Sequence, residues 1–162
     1  MIKLIALVDD HFGIAKNNEV PWHFPDDLRF FRENTTDNVV VMGRKTFFSI
    51  PNAPLPHRIN CVLSRSMHKN DWQSKGVQIF SSGEELLTRH RNFWVIGGAE
   101  IYNYFLGNHL VDMALITQVQ HNYNADKFLN AAFLAEFFKT TLENNERYSI
   151  YKYENFSQHR CF

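Results

Sequence analysis

The stretch VPWHFPDDLRFF, residues 20–31, places two adjacent carboxylates, Asp26 and Asp27, directly behind a proline whose ring is preset for the first turn of a helix. With Asp27 at zero and about 100° of rotation per residue, Leu28, Phe31 and Phe30 fall at roughly 100°, 40° and 300° around the axis. The arc they define encloses Asp27, whereas Asp26 falls with Arg29 and Glu33. Both aspartates complement the positive end of the helix dipole, and for Asp26 that account is sufficient. Asp27 needs more. A carboxylate set among aromatic and aliphatic groups either carries a raised pKa or meets a cationic, hydrogen-bond-donating ligand. Either outcome makes it a candidate functional group.

A second kind of chemistry is suggested by two segments with the order strand, glycine, helix: VVVMGRKTF at 39–47 and FWVIGGAEIY at 93–102. Helix starts with free amide groups attract anions, and glycine lets a phosphate approach the backbone. Neither segment matches the three-glycine dinucleotide fingerprint or the phosphate loop that ends in lysine. Taken together, with Arg44 and Lys45 at the first helix start and Arg65 just past a strand ending at Leu63, they fit a ligand that carries several phosphates. Arginines at an adenosine ribose favour the 2′-phosphorylated nicotinamide cofactor over the plain one. Solvated surface positions for Arg44 and Arg65 are the alternative. Other templates fail: the eight histidines, among them His11, His57 and His90, show no paired metal-ligand spacing, and no serine or cysteine sits in a nucleophile motif.

The elements that must carry these groups are indicated by short apolar runs at 4–8, 39–42, 59–63, 77–80, 93–96 and 113–119, which suit strands. Helix-length segments lie between several of them, at 25–34, 44–50, 83–90 and 99–106. This alternation predicts an α/β fold with a mainly parallel central sheet and helices on both faces. Two β-leaning segments around Asn144-Asn145, the second rich in tyrosine, predict a C-terminal antiparallel hairpin within 136–156. Residues 9–24 lack periodicity, contain Gly13, Asn17, Asn18 and Pro21, and lead straight to Trp22 and the Asp27 helix. They read as a flap over a pocket.

The 162 residues, 44% apolar and 15% aromatic with fifteen phenylalanines, are expected to form one domain, 1–162, with a dense core. Seventeen basic and seventeen acidic side chains balance, and no basic run suggests nucleic acid or a membrane surface as partner. The opening apolar run ends at Asp9-Asp10, too early for an exported or membrane-spanning segment. Two cysteines, Cys61 and Cys161, suggest neither a disulfide framework nor a thiolate metal site, and a reducing cytoplasm is the expected compartment.

The chain resembles the bacterial dihydrofolate reductase family through LIALV at 4–8, Pro21-Trp22, PDDLRFF at 25–31, VMGRKTFFSI at 41–50, LPHR at 55–58 and VIGGAEIY at 95–102. Thr117 and Asp126 fall at suitable places beyond these. The resemblance implies reduction of 7,8-dihydrofolate to tetrahydrofolate by NADPH, with hydride going to C6 of the pterin and a proton to N5, in a monomer that also binds folate-like inhibitors. It implies that Asp27 grips the 2-amino group and neighbouring ring nitrogen of the pterin and promotes N5 protonation, with Trp22 and Thr117 completing the catalytic set. Ile5, Leu28, Phe31, Ile50, Leu55, Ile96 and Tyr102 are implied around the substrate rings, and Arg58 on a carboxylate of the glutamate tail. Ala6, Ile14, Val20, Gly43, Arg44, Lys45, Thr46, Ser64, Arg65, Gly97, Gly98 and Tyr102 are implied around NADPH, with a cis peptide at Gly97-Gly98 and a hydrogen bond from Thr117 to Asp27.

Three positions depart from the family pattern. Ala15 follows Ile14 where glycine is usual, with a glycine earlier at Gly13. Glu100 stands where relatives carry a basic residue. The loop 51–54 holds an extra residue and Asn52. Two rival readings share most of these residues: a reductase of the same fold acting on a pyrimidine intermediate of riboflavin synthesis, and a folate- or nucleotide-binding protein without turnover. The PWHFPDDL and LPHR motifs argue against the first, and retention of Asp27, Trp22 and both glycine segments against the second.

Overall fold

The computed structural model describes residues 1–17, 19–20 and 24–156. In chain order the elements are β1 (Ile2–Val8), β2 (Gly13–Ala15), α1 (Pro25–Thr35), β3 (Val39–Gly43), α2 (Arg44–Ser49), β4 (Ile59–Leu63), α3 (Lys69–Gln73), β5 (Val77–Phe80), α4 (Gly83–Arg89), β6 (Phe93–Gly97), α5 (Ala99–Gly107), β7 (Met113–Val119), β8 (Lys127–Phe128), a 3-10 turn (Ala131–Leu134), β9 (Phe138–Asn144) and β10 (Tyr148–Glu154). The main sheet has the order β5-β4-β3-β6-β1-β7-β10-β9. Its first six strands run parallel, and β10 pairs antiparallel with both β7 and β9. The expected parallel sheet and terminal hairpin are both present.

Period-two alternation splits the core into two layers. Leu4, Ala6 and Val8 of β1 pack with Leu86 of α4 and Phe105 of α5 on one face. Ile5 of the same strand packs with Phe47 of α2, Phe31 of α1 and Trp72 of α3 on the other. Buried parallel strands such as β6, with every residue buried, read as continuous apolar runs because both faces are covered.

Some elements differ from expectation. The segment 9–24, expected to be irregular, contains β2, which pairs antiparallel with β8, and a bridge between Lys16 and Glu19. These pieces are too short to leave a periodic trace. Helix α3 is likewise only five residues long and has no buried residue, so it shows no apolar stripe. Among the described residues no helix is long and apolar enough to cross a membrane. Cys61 is buried and free, while Cys161 lies outside the described residues.

Candidate active site

Strands β4, β3 and β6 are adjacent and parallel, so their C-terminal ends open on one edge of the sheet. The residues at and just past each strand end are therefore brought together: Gly43, which ends β3, with the start of α2, Ser64 and Arg65 after β4, and Gly97, which ends β6, with Gly98. Crevices outside the carboxyl ends of parallel strands are where such folds place ligands. Beside them β1 contributes Ile5 and Ala6, and α1 closes the far wall. The cavity enclosed has a volume of about 1540 Å³. That exceeds the roughly 300–1,000 Å³ typical of one small-molecule site and suits two ligands side by side.

Nearly all residues named from the sequence line this cavity. Ile5, Leu28, Phe31, Ile50, Leu55, Arg58 and Asp27 form one half; Gly43, Arg44, Lys45, Thr46, Ser64, Arg65, Gly97 and Gly98 form the other. Ala6, Ile14, Val20, Ile96 and Tyr102 also line it. Leu28, on this wall, is 53% exposed. Trp22 lies outside the described residues.

Asp27 is the third residue of α1, which enters through Phe24 with Pro25 in its first turn. It is half-buried, and burial raises its pKa above the ordinary carboxylate value, with the neighbouring Thr117 hydroxyl pulling in the opposite direction. Asp26 lies in the first turn of α1, as the helix-dipole reading expects, with its carboxylate 3.5 Å from Arg29 and accepting from the Tyr148 hydroxyl at 3.4 Å. The Thr117 hydroxyl, buried on β7 behind the cavity wall, acts on Asp27 as a hydrogen-bonding group and pulls its pKa down, although the contact is looser than an ordinary hydrogen bond.

Tyr102 joins the two halves. Its buried hydroxyl donates to Ile5 O at 2.7 Å, and its pKa is pushed far up, first by burial and then by the charge of Asp27. The Gly97-Gly98 peptide is cis, as the resemblance implied. Gly97 has φ 128°, a region open to glycine, and a Cβ there would meet the Tyr102 hydroxyl at 3.3 Å. A Cβ on Gly98 would come within 3.4 Å of Thr46 Oγ1. The two glycines thus leave backbone, not side chain, at the cavity surface.

At the opposite end Arg58 is held ready. Its Nε donates to Thr35 Oγ1 at 3.3 Å and its Nη1 to Pro56 O at 2.9 Å, and its guanidinium lies 5.8 Å from the centre of the Phe31 ring. Its pKa is lowered by burial and by the charge of Arg32, with Asp37 opposing. Two like charges on one cavity rim favour an acidic ligand group. Arg32 was missed in the sequence, although it lies four positions after Leu28 on α1 and so shares its helix face. Ser82 and Tyr104, which also line the cavity, carried no local signal: Ser82 follows β5, which reaches the site only through the strand order, and Tyr104 is one ring on α5.

The flap is tied down by contacts from the loop before β8. Asp126 N donates to Ala15 O at 2.9 Å, and its carboxylate accepts from Asn17 N at 3.0 Å. Ala15 occupies the usual glycine position in β2 and lines the cavity.

The dihydrofolate reductase family model matches residues 1–159. The chain is 39% identical over 118 residues to dihydrofolate reductase of Haemophilus influenzae, covering 71% of this chain and 69% of that one. It is 32% identical over 163 residues to the enzyme of Buchnera aphidicola, covering 99% and 96%. Dihydrofolate reductase of Enterococcus faecalis, solved with NADP(H) and RAB-propyl, superposes with a TM-score of 0.79 at 28% identity over 95% of each chain. With a family match over almost its whole length and relatives this similar, the chain belongs to the dihydrofolate reductase family.

Proposed function

We propose that the chain reduces 7,8-dihydrofolate to 5,6,7,8-tetrahydrofolate with NADPH, and that the residues gathered in the large cavity carry the reaction. The single observation that carries this reading is Asp27: a half-buried carboxylate of raised pKa in an apolar wall, facing a cavity whose other half is built from cations and bare glycine backbone.

The site fits both ligands. Arg44, Lys45, Thr46, Ser64 and Arg65 offer charge and donors for phosphates, and Gly97 and Gly98 present backbone where a Cβ would intrude. Bound there, NADPH supplies the hydride. The chain itself aligns and shields. Ile5, Ile96 and Tyr102 form the floor shared by the two halves, and Ile14 and Val20 line the flap side, where water is to be excluded. Asp27 accepts the 2-amino and ring N–H of the pterin in a two-point contact, and Thr117 stands behind it as a further donor. The aspartate also promotes protonation of N5, through water and the pterin's own tautomers, while C6 receives the hydride. Ile50, Leu55, Leu28 and Phe31 enclose the rings, and Arg58, with donors still free, takes a tail carboxylate.

Asp27, Arg58, Arg44 and the Gly97-Gly98 pair of a single chain line one cavity, and the protein is read as acting as a monomer. Residues 1–162 are read as one domain, and a free, buried Cys61 is compatible with the reducing cytoplasm as its compartment. Folate-like inhibitors would occupy the Asp27 half.

The reading is tested by following NADPH absorbance after adding dihydrofolate or the aminopyrimidine substrate of riboflavin synthesis. Oxidation with dihydrofolate alone is expected. Oxidation only with the aminopyrimidine, or binding of NADPH without oxidation, would instead favour the rival readings.

Glu100 gives a further expected result. It is exposed on the first turn of α5 and lines the same cavity as Arg44 and Arg65. A carboxylate there repels phosphate, so Glu100→Gln should tighten NADPH binding by about two- to fivefold at low ionic strength, the modest size that an exposed charge allows. The gain should shrink in high salt. Fluorescence titration at two salt concentrations checks it, and unchanged affinity at both would place Glu100 outside the phosphate field.

A further inference from the structure

The carboxylate of Asp9 is buried, with no solvent-exposed area, yet it lies outside the cavity and has no part in the chemistry above. It stands one residue past the end of β1, at the root of the flap. A buried carboxylate survives only if its oxygens are satisfied. Here three backbone amides do so: Oδ1 accepts from His11 N at 2.9 Å and Gly13 N at 2.7 Å, and Oδ2 accepts from Tyr123 N at 3.3 Å. The main chain of Asp9 adds to the same knot. Its N–H donates to Gly13 O at 2.9 Å, and its carbonyl accepts from Phe12 N at 3.1 Å and from Gln118 Nε2 at 3.3 Å. Asp9 thereby closes residues 9–13 into one turn, with Phe12 at φ 61°, and fastens that turn to the loop after β7.

The displaced glycine has the same explanation. A Cβ on Gly13 would lie 2.7 Å from Asp9 Oδ2 and would collide with the Cβ of Ala125. Glycine is required at 13 by this packing. Immediately beyond it, Ile14 and Ala15 of β2 reach the cavity wall.

We propose that Asp9 is a positioning residue for the reductase: its carboxylate, clamped between the flap root and residue 123, sets where Ile14 and Ala15 lie at the cavity wall, on the side read as taking the cofactor. The inference rests on the proposed function. The same bonds occupy the Asp9 oxygens that would otherwise join Asp10 and His11 around a cation.

Asp9→Asn tests it with almost no change in volume. An amide nitrogen has no lone pair to offer, so whichever way the side chain turns, at least one of the three N–H groups loses its acceptor. The flap should then loosen on the cofactor side only. NADPH dissociation constant and KM should rise roughly tenfold, about 1.4 kcal/mol, and single-turnover hydride transfer should slow. KM for dihydrofolate should stay within about twofold and the pH profile should keep its shape, because Asp27, Phe31 and Arg58 lie on other elements. Gly13→Ala, which leaves every donor in place but forces the clamp open, should give the same selective loss, and it carries the test if Asp9→Asn does not fold. Unchanged NADPH affinity and hydride rate in a folded variant would overturn the proposal. So would equal losses in both substrates accompanied by a lowered melting temperature, which would make Asp9 merely structural. A parent that neither binds nor oxidises NADPH would overturn the functional reading and this inference together, whereas an active parent with an unaffected Asp9→Asn overturns the inference alone.

Discussion

Asp27→Asn should lower turnover of dihydrofolate at neutral pH by about two to four orders of magnitude, the range that general acid–base groups contribute. The amide keeps the shape of the side chain, and one of its atoms still accepts a hydrogen bond, but it cannot hold a negative charge beside the pterin or help to bring a proton to N5. Activity should recover as pH falls, because a substrate already protonated at N5 needs less help. The parent, by contrast, should lose rate as pH rises. Rate measured against pH for both proteins is the check, and parallel profiles would remove Asp27 from the proton path.

The same substitution should stabilise the protein. Burial raises the pKa of Asp27 in the folded state above its unfolded value. Below the unfolded pKa both states are protonated and Asp27 has no effect on stability. Above the folded pKa both are ionised, and the folded state alone bears the cost of burying the charge. Asp27→Asn should therefore raise the melting temperature at neutral pH and leave it nearly unchanged in acid. A gain in stability together with a loss of activity is characteristic of a group kept for function.

Arg58→Lys should raise KM for dihydrofolate by roughly 10- to 150-fold, equivalent to the 1.5–3 kcal/mol of a hydrogen bond to a charged group. Arg58 is oriented by Thr35 and Pro56 and packed near Phe31, so its remaining donors face the cavity as a planar fork. A lysine offers a point charge on a longer search. The turnover number should change little, since the tail is bound alike in ground and transition states. A pterin lacking the glutamate tail should not distinguish parent from variant. If it does, Arg58 acts on the rings and not on the tail.

Which parts of this were legible in the sequence depends on how local their causes are. Asp27 could be singled out because helical periodicity alone puts it in an apolar arc, and its half-buried position on α1 agrees. The glycine segments were visible as strand-to-helix junctions. That they meet in one cavity depends on β3 lying between β4 and β6, which no local pattern encodes. Arg32 sat on a readable helix face and was passed over. Asp9 looked like the polar end of a strand, because the amide that completes its shell belongs to Tyr123, 114 positions away. Thr117 was reached only through the family motifs, because β7, which carries it, lies far along the chain from α1. Short pieces such as β2, β8 and α3 have too few residues for any period to show.

The most direct test of the central claim is a single turnover with NADPH deuterated at the transferable position of its nicotinamide, in ordinary water, with the tetrahydrofolate analysed by NMR. One deuterium at C6 and a solvent-derived proton at N5 are predicted. Product without deuterium at C6, or cofactor left reduced with dihydrofolate bound, would contradict the account.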